Sequence, residues 1–80
     1  MKTLNINGKN QKVNAILIGG GGEAYKAKIN GCIIDANIQC ISSISFTGRY
    51  NKYYTLDGVK VGDNEKKVLE SVITKYKVAL

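Results

Sequence analysis

The stretch GRYNKYY, residues 48–54, places two cations and three tyrosines within seven residues. Bases and nucleotides are commonly held by aromatic stacking combined with cations, and arginine and tyrosine are also enriched at the energetic centres of protein interfaces. The stretch therefore predicts a binding surface for nucleic acid, a nucleotide or a host protein. Its members are Arg49, Tyr50, Lys52, Tyr53 and Tyr54. A purely structural role is the alternative, because tyrosine is a favourable strand residue.

The surroundings of this stretch indicate a hairpin whose tip carries the cations. Phe46 precedes the stretch and Leu56 follows it, and both are expected in the core. Tyr53 and Tyr54 are neighbours in a predicted strand, so they face opposite ways and only one of them is expected to be buried. Arg49 is then expected at or beside the tip, together with Tyr50 and Lys52.

Two further lysines are predicted to share one face of a sheet. In the alternating run Tyr25–Ile29, Lys26 and Lys28 face away from the tyrosine, alanine and isoleucine. A protein that binds single-stranded nucleic acid is expected to combine basic and aromatic side chains on such a face. In that case Lys26 and Lys28 should lie beside Tyr53 or Tyr54.

Four consecutive glycines, Gly19, Gly20, Gly21 and Gly22, precede Glu23 and suggest a phosphate loop by composition alone. A P-loop ends in Gly-Lys-Ser/Thr and opens a helix, whereas the residues after Glu23 alternate like a strand. The glycine run is therefore predicted to be a hairpin tip. Its bare backbone amides also allow close approach of a ligand, so a partner-binding loop is the alternative.

Catalysis is not expected, because the chain contains no histidine. Histidine is the usual near-neutral general base, and its absence excludes Ser–His and Cys–His nucleophile pairs within the chain. Two cysteines without histidine also make a poor zinc site. We predict no enzyme activity, metal or cofactor. A carboxylate pair is the remaining catalytic alternative, and the acidic residues are Glu23, Asp35, Asp57, Asp63, Glu65 and Glu70.

The two cysteines, Cys32 and Cys40, are eight residues apart. In one straight strand they would be separated by roughly 27 Å, which is beyond disulfide reach. A turn at residues 35–37 would bring them together. The favoured interpretation is two buried thiols that act as small hydrophobic residues.

The candidate binding residues lie between predicted turns. Three dipeptides signal these turns: Asn7-Gly8, Asn30-Gly31 and Asp57-Gly58. Asn-Gly and Asp-Gly suit type I′ turns, which need positive φ at both central residues. Each signal is flanked by strand-like residues, so the pattern predicts antiparallel hairpins.

Two longer strand-like runs are harder to divide into individual strands. Residues 12–18 are predicted to form one strand, and residues 32–47 are too long for one typical strand. Either residues 35–37 form a turn, or a bulge interrupts the run near Ser42 and Ser43. The bulge is favoured, because the apolar alternation changes phase at the two serines.

The C-terminal segment changes to a helical period. Val68, Leu69, Val72, Ile73 and Tyr76 recur at three- and four-residue spacing and form one apolar stripe. A helix over about 63–77 is predicted, capped by Asp63 or Asn64. The predicted fold class is therefore α+β. An antiparallel β-meander of about five to seven short strands over residues 1–62, open or closed into a small barrel, carries one C-terminal amphipathic helix packed on the sheet.

Bulk properties fit a single small domain over residues 1–80. The net charge is +6, with +3 in each half, so the positive charge is spread and favours anionic partners. The first ten residues contain no apolar run typical of a signal peptide, and no run approaches the roughly 20 residues that span a bilayer. A cytoplasmic protein without membrane contact is expected.

Three functions remain as hypotheses. The first is a non-catalytic protein that acts stoichiometrically by occupying or sequestering a partner, such as a phage or mobile-element inhibitor of host machinery. The second is a small barrel that binds single-stranded nucleic acid. The third is a structural subunit of a homo-oligomer, since small domains often need a partner for stability.

Overall fold

The computed structural model describes residues 1–19 and 24–80. These residues form seven strands and one C-terminal helix. The elements are β1 (Lys2–Ile6), β2 (Lys9–Val13), β3 (Ala15–Gly19), β4 (Tyr25–Ile29), β5 (Cys32–Ile44), β6 (Tyr50–Leu56), β7 (Val59–Gly62) and α1 (Glu65–Tyr76).

The three predicted hairpin turns are present, and their backbone angles explain the residues that occupy them. The first central residue has a φ of 53° at Asn7, 49° at Asn30 and 50° at Asp57, and the glycine that follows each has a φ of 83–86°. These values are those of type I′ turns, whose twist matches that of the flanking strands. The turns join β1 to β2, β4 to β5 and β6 to β7.

All strand pairs are antiparallel and fall into two sheets. β1 and β2 form a two-stranded hairpin, and the remaining strands form a meander in the order β3-β4-β5-β6-β7. The predicted α+β meander with a C-terminal helix is therefore confirmed. Among the described residues the larger sheet does not close into a barrel, since β3 and β7 each pair with one strand only.

Two predicted strand boundaries are wrong. The run 12–18 is divided at Asn14, where β2 of the small sheet ends and β3 of the large sheet begins. Residues 32–44 form one continuous strand without a turn at 35–37, and its pairing with β6 passes through Ser42 and Ser43 in regular register. The irregularity lies instead between β5 and β4, where the pairs Ala27–Ile34 and Tyr25–Ile38 enclose unequal lengths of chain.

The course of β5 also determines whether the two cysteines can form a disulfide. Cys32 and Cys40 lie on the same strand as free thiols, so the strand itself holds them apart. Cys32 is exposed and Cys40 is partly buried against the core. The prediction of two buried thiols is wrong for Cys32, which directly follows the Asn30-Gly31 turn at the start of the strand.

Helix α1 begins and ends with side-chain and backbone caps. The side chain of Asn64 accepts a hydrogen bond from the Lys67 amide at 2.9 Å, which satisfies one of the free N–H groups of the first turn. At the other end Lys77 adopts a left-handed conformation, and the Val78 amide donates to the Ile73 carbonyl at 3.1 Å. No helix in residues 1–19 and 24–80 has the length and apolar character needed to cross a membrane.

The core lies between the helix and one face of the sheets. The predicted stripe of α1 is buried at Val68, Leu69, Val72 and Ile73. It packs against two surfaces. The β1–β2 hairpin contributes the buried side chains of Leu4 and Val13, and the inner face of the large sheet contributes those of Ala27, Ile29, Ala36, Ile38 and Leu56. The other face of the large sheet, termed the outer face below, carries no helix.

Candidate binding site on the projecting hairpin

β5 and β6 continue beyond the rest of the sheet as a two-stranded arm. The register of β4 on β5 ends at the pair Tyr25–Ile38, whereas the register of β6 on β5 continues from Ile38 to Ile44. The register of β7 on β6 ends at the pair Tyr54–Gly62, so we define the arm as residues 41–53. The thirteen residues of β5 span about 40 Å at roughly 3.3 Å per residue. The longest dimension of the molecule is 42 Å. The strand β5, whose last residues form one side of the arm, therefore runs along the longest dimension of the molecule.

The tip of the arm, residues 45–49, is an ordered loop. The Ser45 amide donates to the Arg49 carbonyl at 2.7 Å, and the Gly48 amide donates to the Ser45 carbonyl at 2.9 Å. The Arg49 amide donates to Ser45 Oγ at 3.0 Å, and that oxygen lies 3.0 Å from Thr47 Oγ1. Gly48 has a φ of 83°, which favours glycine. Ser45 thus fixes both ends of the loop.

Strand register divides the arm side chains between two faces. Directly opposite residues share a face, so Ile44 and Tyr50 lie together, as do Ser42 and Lys52. These pairs continue the inner, core-facing side of the sheet beyond the reach of the helix. The pair Ile41 and Tyr53 lies on the outer face. The predicted surface GRYNKYY is thereby split between two sides of the arm.

The end of the arm exposes three large apolar side chains. Phe46 is fully exposed, Ile44 is 75% exposed and Tyr50 is 66% exposed. The expectation that Phe46 lies in the core is wrong, because β5 ends at Ile44 and Phe46 belongs to the tip loop. We call Ile44, Phe46, Arg49, Tyr50 and Lys52 the tip cluster. Ile44 and Phe46 were missed as site residues, since apolar residues in a strand pattern are normally assigned to the core.

Tyr54 belongs to the core rather than to a ligand surface. It is 8% exposed, and its ring meets that of Tyr25 edge to face with the centroids 6.2 Å apart. Lys52 Nζ lies 5.3 Å from the centre of the Tyr54 ring, and interaction with Tyr54 raises the pKa of Lys52. The expectation that only one of Tyr53 and Tyr54 is buried is confirmed.

The remaining predicted side chains lie on the outer face of the sheet. Lys26 and Lys28 face outward on β4, and Tyr53 faces outward on β6. Lys26 forms an ion pair with Asp35, which neutralises part of that surface. Lys60, which the sequence did not single out, lies with Nζ 5.0 Å from the centre of the Tyr53 ring. Because β5 separates β4 from β6, the lysines of β4 share a face with Tyr53 but do not adjoin it.

The glycine run is only partly described. Gly19 ends β3, pairs with Tyr25 and is exposed, with a φ of 92°. A Cβ built on Gly19 would approach the Ala24 carbonyl oxygen to 3.3 Å, so this position is crowded as well as left-handed. Gly20, Gly21, Gly22 and Glu23 lie outside the described residues.

The carboxylates of the described residues serve structural contacts. Asp57 receives hydrogen bonds from the Asn37 amide at 3.1 Å, Lys75 Nζ at 2.8 Å and the Tyr76 hydroxyl at 2.5 Å. These donors, Lys75 and Tyr76 first, lower the pKa of Asp57 to about 2. Glu70 accepts from the Asn5 amide at 2.5 Å, and Glu65 forms an ion pair with Lys2 at 2.6 Å.

A metal site requires several ligand side chains that lie close together. Across residues 1–19 and 24–80, no group of three or more histidine, cysteine, aspartate or glutamate side chains is placed to hold a metal ion. Asp57 is held ionised by its donors, which suits an anchor between elements better than a general acid. The tip cluster and the outer face are therefore the two candidate binding surfaces.

Comparisons with protein-family models, with curated proteins and with solved structures each find no match to this chain.

Proposed function

We propose that this chain is a non-catalytic binding protein that occupies a partner stoichiometrically through its projecting arm. The observation that carries the proposal is the exposure of Phe46 on an ordered tip, beside the exposed pair Ile44 and Tyr50. An inhibitor of host machinery, acting in the cytoplasm, is one form of this function. The free thiols Cys32 and Cys40 fit such a reducing compartment.

The size of the hydrophobic effect supports a binding role for the tip. Burial of one large apolar side chain contributes about 1.5–3 kcal/mol. The tip leaves Ile44, Phe46 and Tyr50 in solvent, although nothing in the fold of the arm requires apolar side chains there. Exposed apolar groups that cluster on a soluble chain are typical of interaction sites. A partner that covered all three side chains would gain this burial energy as one part of its binding free energy.

Preorganisation of the tip supports the same role. The hydrogen bonds of Ser45 to Arg49 and Gly48 hold the loop before any partner arrives. A ligand-binding element that is already ordered loses less conformational entropy when it binds. The arm also carries the tip beyond the helix and the small sheet, so a concave partner surface can receive it without contact with the rest of the chain.

The experiment compares the parent chain with an arm-shortened variant in which residues 44–50 are replaced by the dipeptide Asn-Gly. Ser43 and Asn51 face each other in register and would flank the new turn, as in the three type I′ hairpins of this fold. Tagged parent and variant are purified from the cells that naturally make the chain, and native mass spectrometry measures what remains bound. The parent is expected to retain a partner at fixed stoichiometry, and the variant to lose it.

Two results would contradict the proposal. If the arm-shortened variant retained the partner in full, binding would occur elsewhere on the molecule. If the parent carried only further copies of itself, the hypothesis of a homo-oligomeric subunit would replace a hetero-partner. Lys12→Ala, at an exposed position of β2 in the two-stranded sheet, is the control and is expected to behave like the parent.

A second candidate function, binding of single-stranded nucleic acid, is favoured by the outer face. Lys60 lies over the Tyr53 ring and Lys28 is exposed on the same face, which combines a stacking platform with cations. Titration with a fluorescent mixed-sequence oligonucleotide at two salt concentrations tests it. Tyr53→Ala should weaken binding without a change of salt dependence, and Lys28→Ala should flatten that dependence. Binding equal to that of the parent in both variants would dismiss this function.

A further inference from the structure

We propose that the partner of the arm is a protein that offers an apolar pocket set within an acidic surface, with Phe46 as the anchor that fills the pocket. This inference rests on the proposed function and names the chemistry of the partner. It follows from the charges carried by the arm, from the kind of side chain that the tip exposes and from the order of the tip loop.

The arm carries positive charge only. Between Asp35 and Asp57 the sequence contains no acidic residue, whereas Arg49 and Lys52 lie at or near the tip. Arginine and lysine side chains are both charged at neutral pH, so the arm presents two cations at or near its tip. A partner surface with carboxylates around the contact is complementary to this arm. A second copy of the chain is disfavoured as the occupant, because each copy carries a net charge of +6.

The apolar character of the tip favours protein over nucleic acid. Two cations would release about two condensed counterions, whereas proteins that depend on phosphate contacts commonly make about 6–10. Ile44 is aliphatic and offers no ring for stacking, yet it is 75% exposed beside Tyr50. A pocket lined by apolar side chains uses Ile44, Phe46 and Tyr50 together. Aromatic residues and arginine at the centre of such a contact are typical of protein hot spots.

The tip loop positions Phe46 and Arg49 as a unit. Ser45 bonds to the Arg49 amide and carbonyl and lies against Thr47, so the chain between them has a defined path. Phe46 projects from this path without contact to the core, and Arg49 closes the loop three residues later. An apolar anchor with an adjacent cation matches a pocket whose rim contains carboxylates.

The experiment is site-specific photo-crosslinking of the full chain in the cells that naturally make it. The probe is Phe46→p-benzoylphenylalanine, and the matched control is Ile33→p-benzoylphenylalanine on the outer face, where Ile33 is also exposed. The adducts are treated with nuclease or left untreated, and crosslinked peptides are identified by mass spectrometry. The captured protein is then purified, and its affinity for the parent and variants is measured at 0.05 M and about 0.5 M salt.

The proposal expects one protein adduct at position 46 that resists nuclease, with the crosslinked peptide in an apolar pocket flanked by aspartate and glutamate. Phe46→Ala should weaken binding about tenfold or more at both salt concentrations, because its contribution is not electrostatic. Arg49→Ala should weaken binding several-fold at low salt and little at high salt, because screening removes its attraction to the acidic rim. Both variants should unfold like the parent, so loss of binding would not reflect loss of fold.

The other outcomes would contradict the partner class, the binding role of the arm or the role of Phe46. A nuclease-sensitive adduct at position 46, a crosslink to a second copy, or a captured surface that is basic or wholly polar would overturn the partner class and leave the arm as a binding element. Crosslinks at position 33 alone, or at neither position, would overturn the proposed function as well. Equal affinity of Phe46→Ala and the parent for the captured protein would remove Phe46 as the anchor.

Discussion

Asp57 connects three parts of the molecule through one side chain. It begins the β6–β7 turn, and its backbone and carboxylate both bond to Asn37 in β5. The same carboxylate accepts from Lys75 and Tyr76 at the end of α1. The sequence predicted Asp57 as a turn residue and as one of six acidic residues from which a carboxylate pair could be drawn. Its contact with α1 could not be predicted, because it depends on where the end of the helix lies relative to the sheet.

The first prediction concerns the pH dependence that Asp57 confers on stability. Lys75, Tyr76 and Asn37 lower its pKa from 3.8 to about 2. The unfolded chain therefore binds the proton more readily, and the stabilisation from this group is complete above about pH 4 and lost as the pH falls towards 2. Asp57→Asn keeps a residue that tolerates positive φ but cannot ionise, so this component should disappear.

Thermal unfolding of the parent and Asp57→Asn between pH 2 and 5 measures the effect, with Asp63→Asn as the control. The melting temperatures of the parent and Asp57→Asn should converge as the pH falls from about 4 to 2. A constant gap across this range would show that the ionised carboxylate contributes nothing to stability.

The second prediction compares the two residues that flank GRYNKYY. Both were expected in the core. Leu56 is buried as expected, whereas Phe46 is fully exposed. Leu56→Ala should lower the free energy of unfolding by about 2–5 kcal/mol, whereas Phe46→Ala should change it by less than about 0.5 kcal/mol. Urea denaturation of the parent and the two variants measures both losses of stability. A large loss of stability for Phe46→Ala would mean that the tip folds back onto the core.

At the scale of elements, the turns were predictable and the strand ends were not. Asn-Gly and Asp-Gly pairs specify positive φ locally, so three hairpins could be located from dipeptides alone. The length of β5 depends on a partner, because residues 39–44 are extended where β6 pairs with them. The break at Asn14 likewise reflects two sheets that share no strand, which local alternation cannot reveal.

The third prediction tests the packing of α1. Val72 is fully buried in the middle of the stripe, and Val72→Ala should lower the free energy of unfolding by about 1–3 kcal/mol. Lys66→Ala on the exposed face is the control and should be nearly neutral. Lys75→Ala is unsuitable as a control, because the Lys75 side chain pairs with Asp57 at 2.8 Å. Urea melts that ranked Lys66→Ala below Val72→Ala would contradict the assigned face.

The fourth prediction concerns the C-terminal cap of α1. Lys77 has a φ of 51°, a conformation that costs a residue with a Cβ roughly 1–2 kcal/mol and that glycine adopts freely. Allowing for the greater entropy of glycine in the unfolded chain, Lys77→Gly should stabilise the protein by about 0.5–1 kcal/mol. Lys77→Ala retains the strain and should bring no gain. A loss of stability in Lys77→Gly would indicate that the lysine charge outweighs its backbone strain.

At the scale of the whole molecule, composition indicated the class of fold but not its shape. One small domain with a meander and a helix follows from length, turn signals and the helical stripe. The arm does not follow, because it arises from unequal strand lengths: β4 ends its pairing at Ile38, whereas β6 pairs as far as Ile44. The sequence singled out the basic and aromatic residues of 48–54 as one surface, but their division between tip, outer face and core required the register.

The fifth prediction is that the arm is dispensable for folding and decisive for shape. Replacing residues 44–50 by Asn-Gly removes no buried side chain, so the free energy of unfolding in urea should stay within about 0.5 kcal/mol of the parent. The longest dimension, 42 Å in the parent, should shorten by roughly 7–10 Å in small-angle X-ray scattering, since two to three residues of extended chain are lost. If the variant kept the parent dimension, β5 and β6 would not project as a paired arm. If it lost several kcal/mol, the tip would be part of the folding unit, and the loss of a partner by this variant could not be assigned to binding alone.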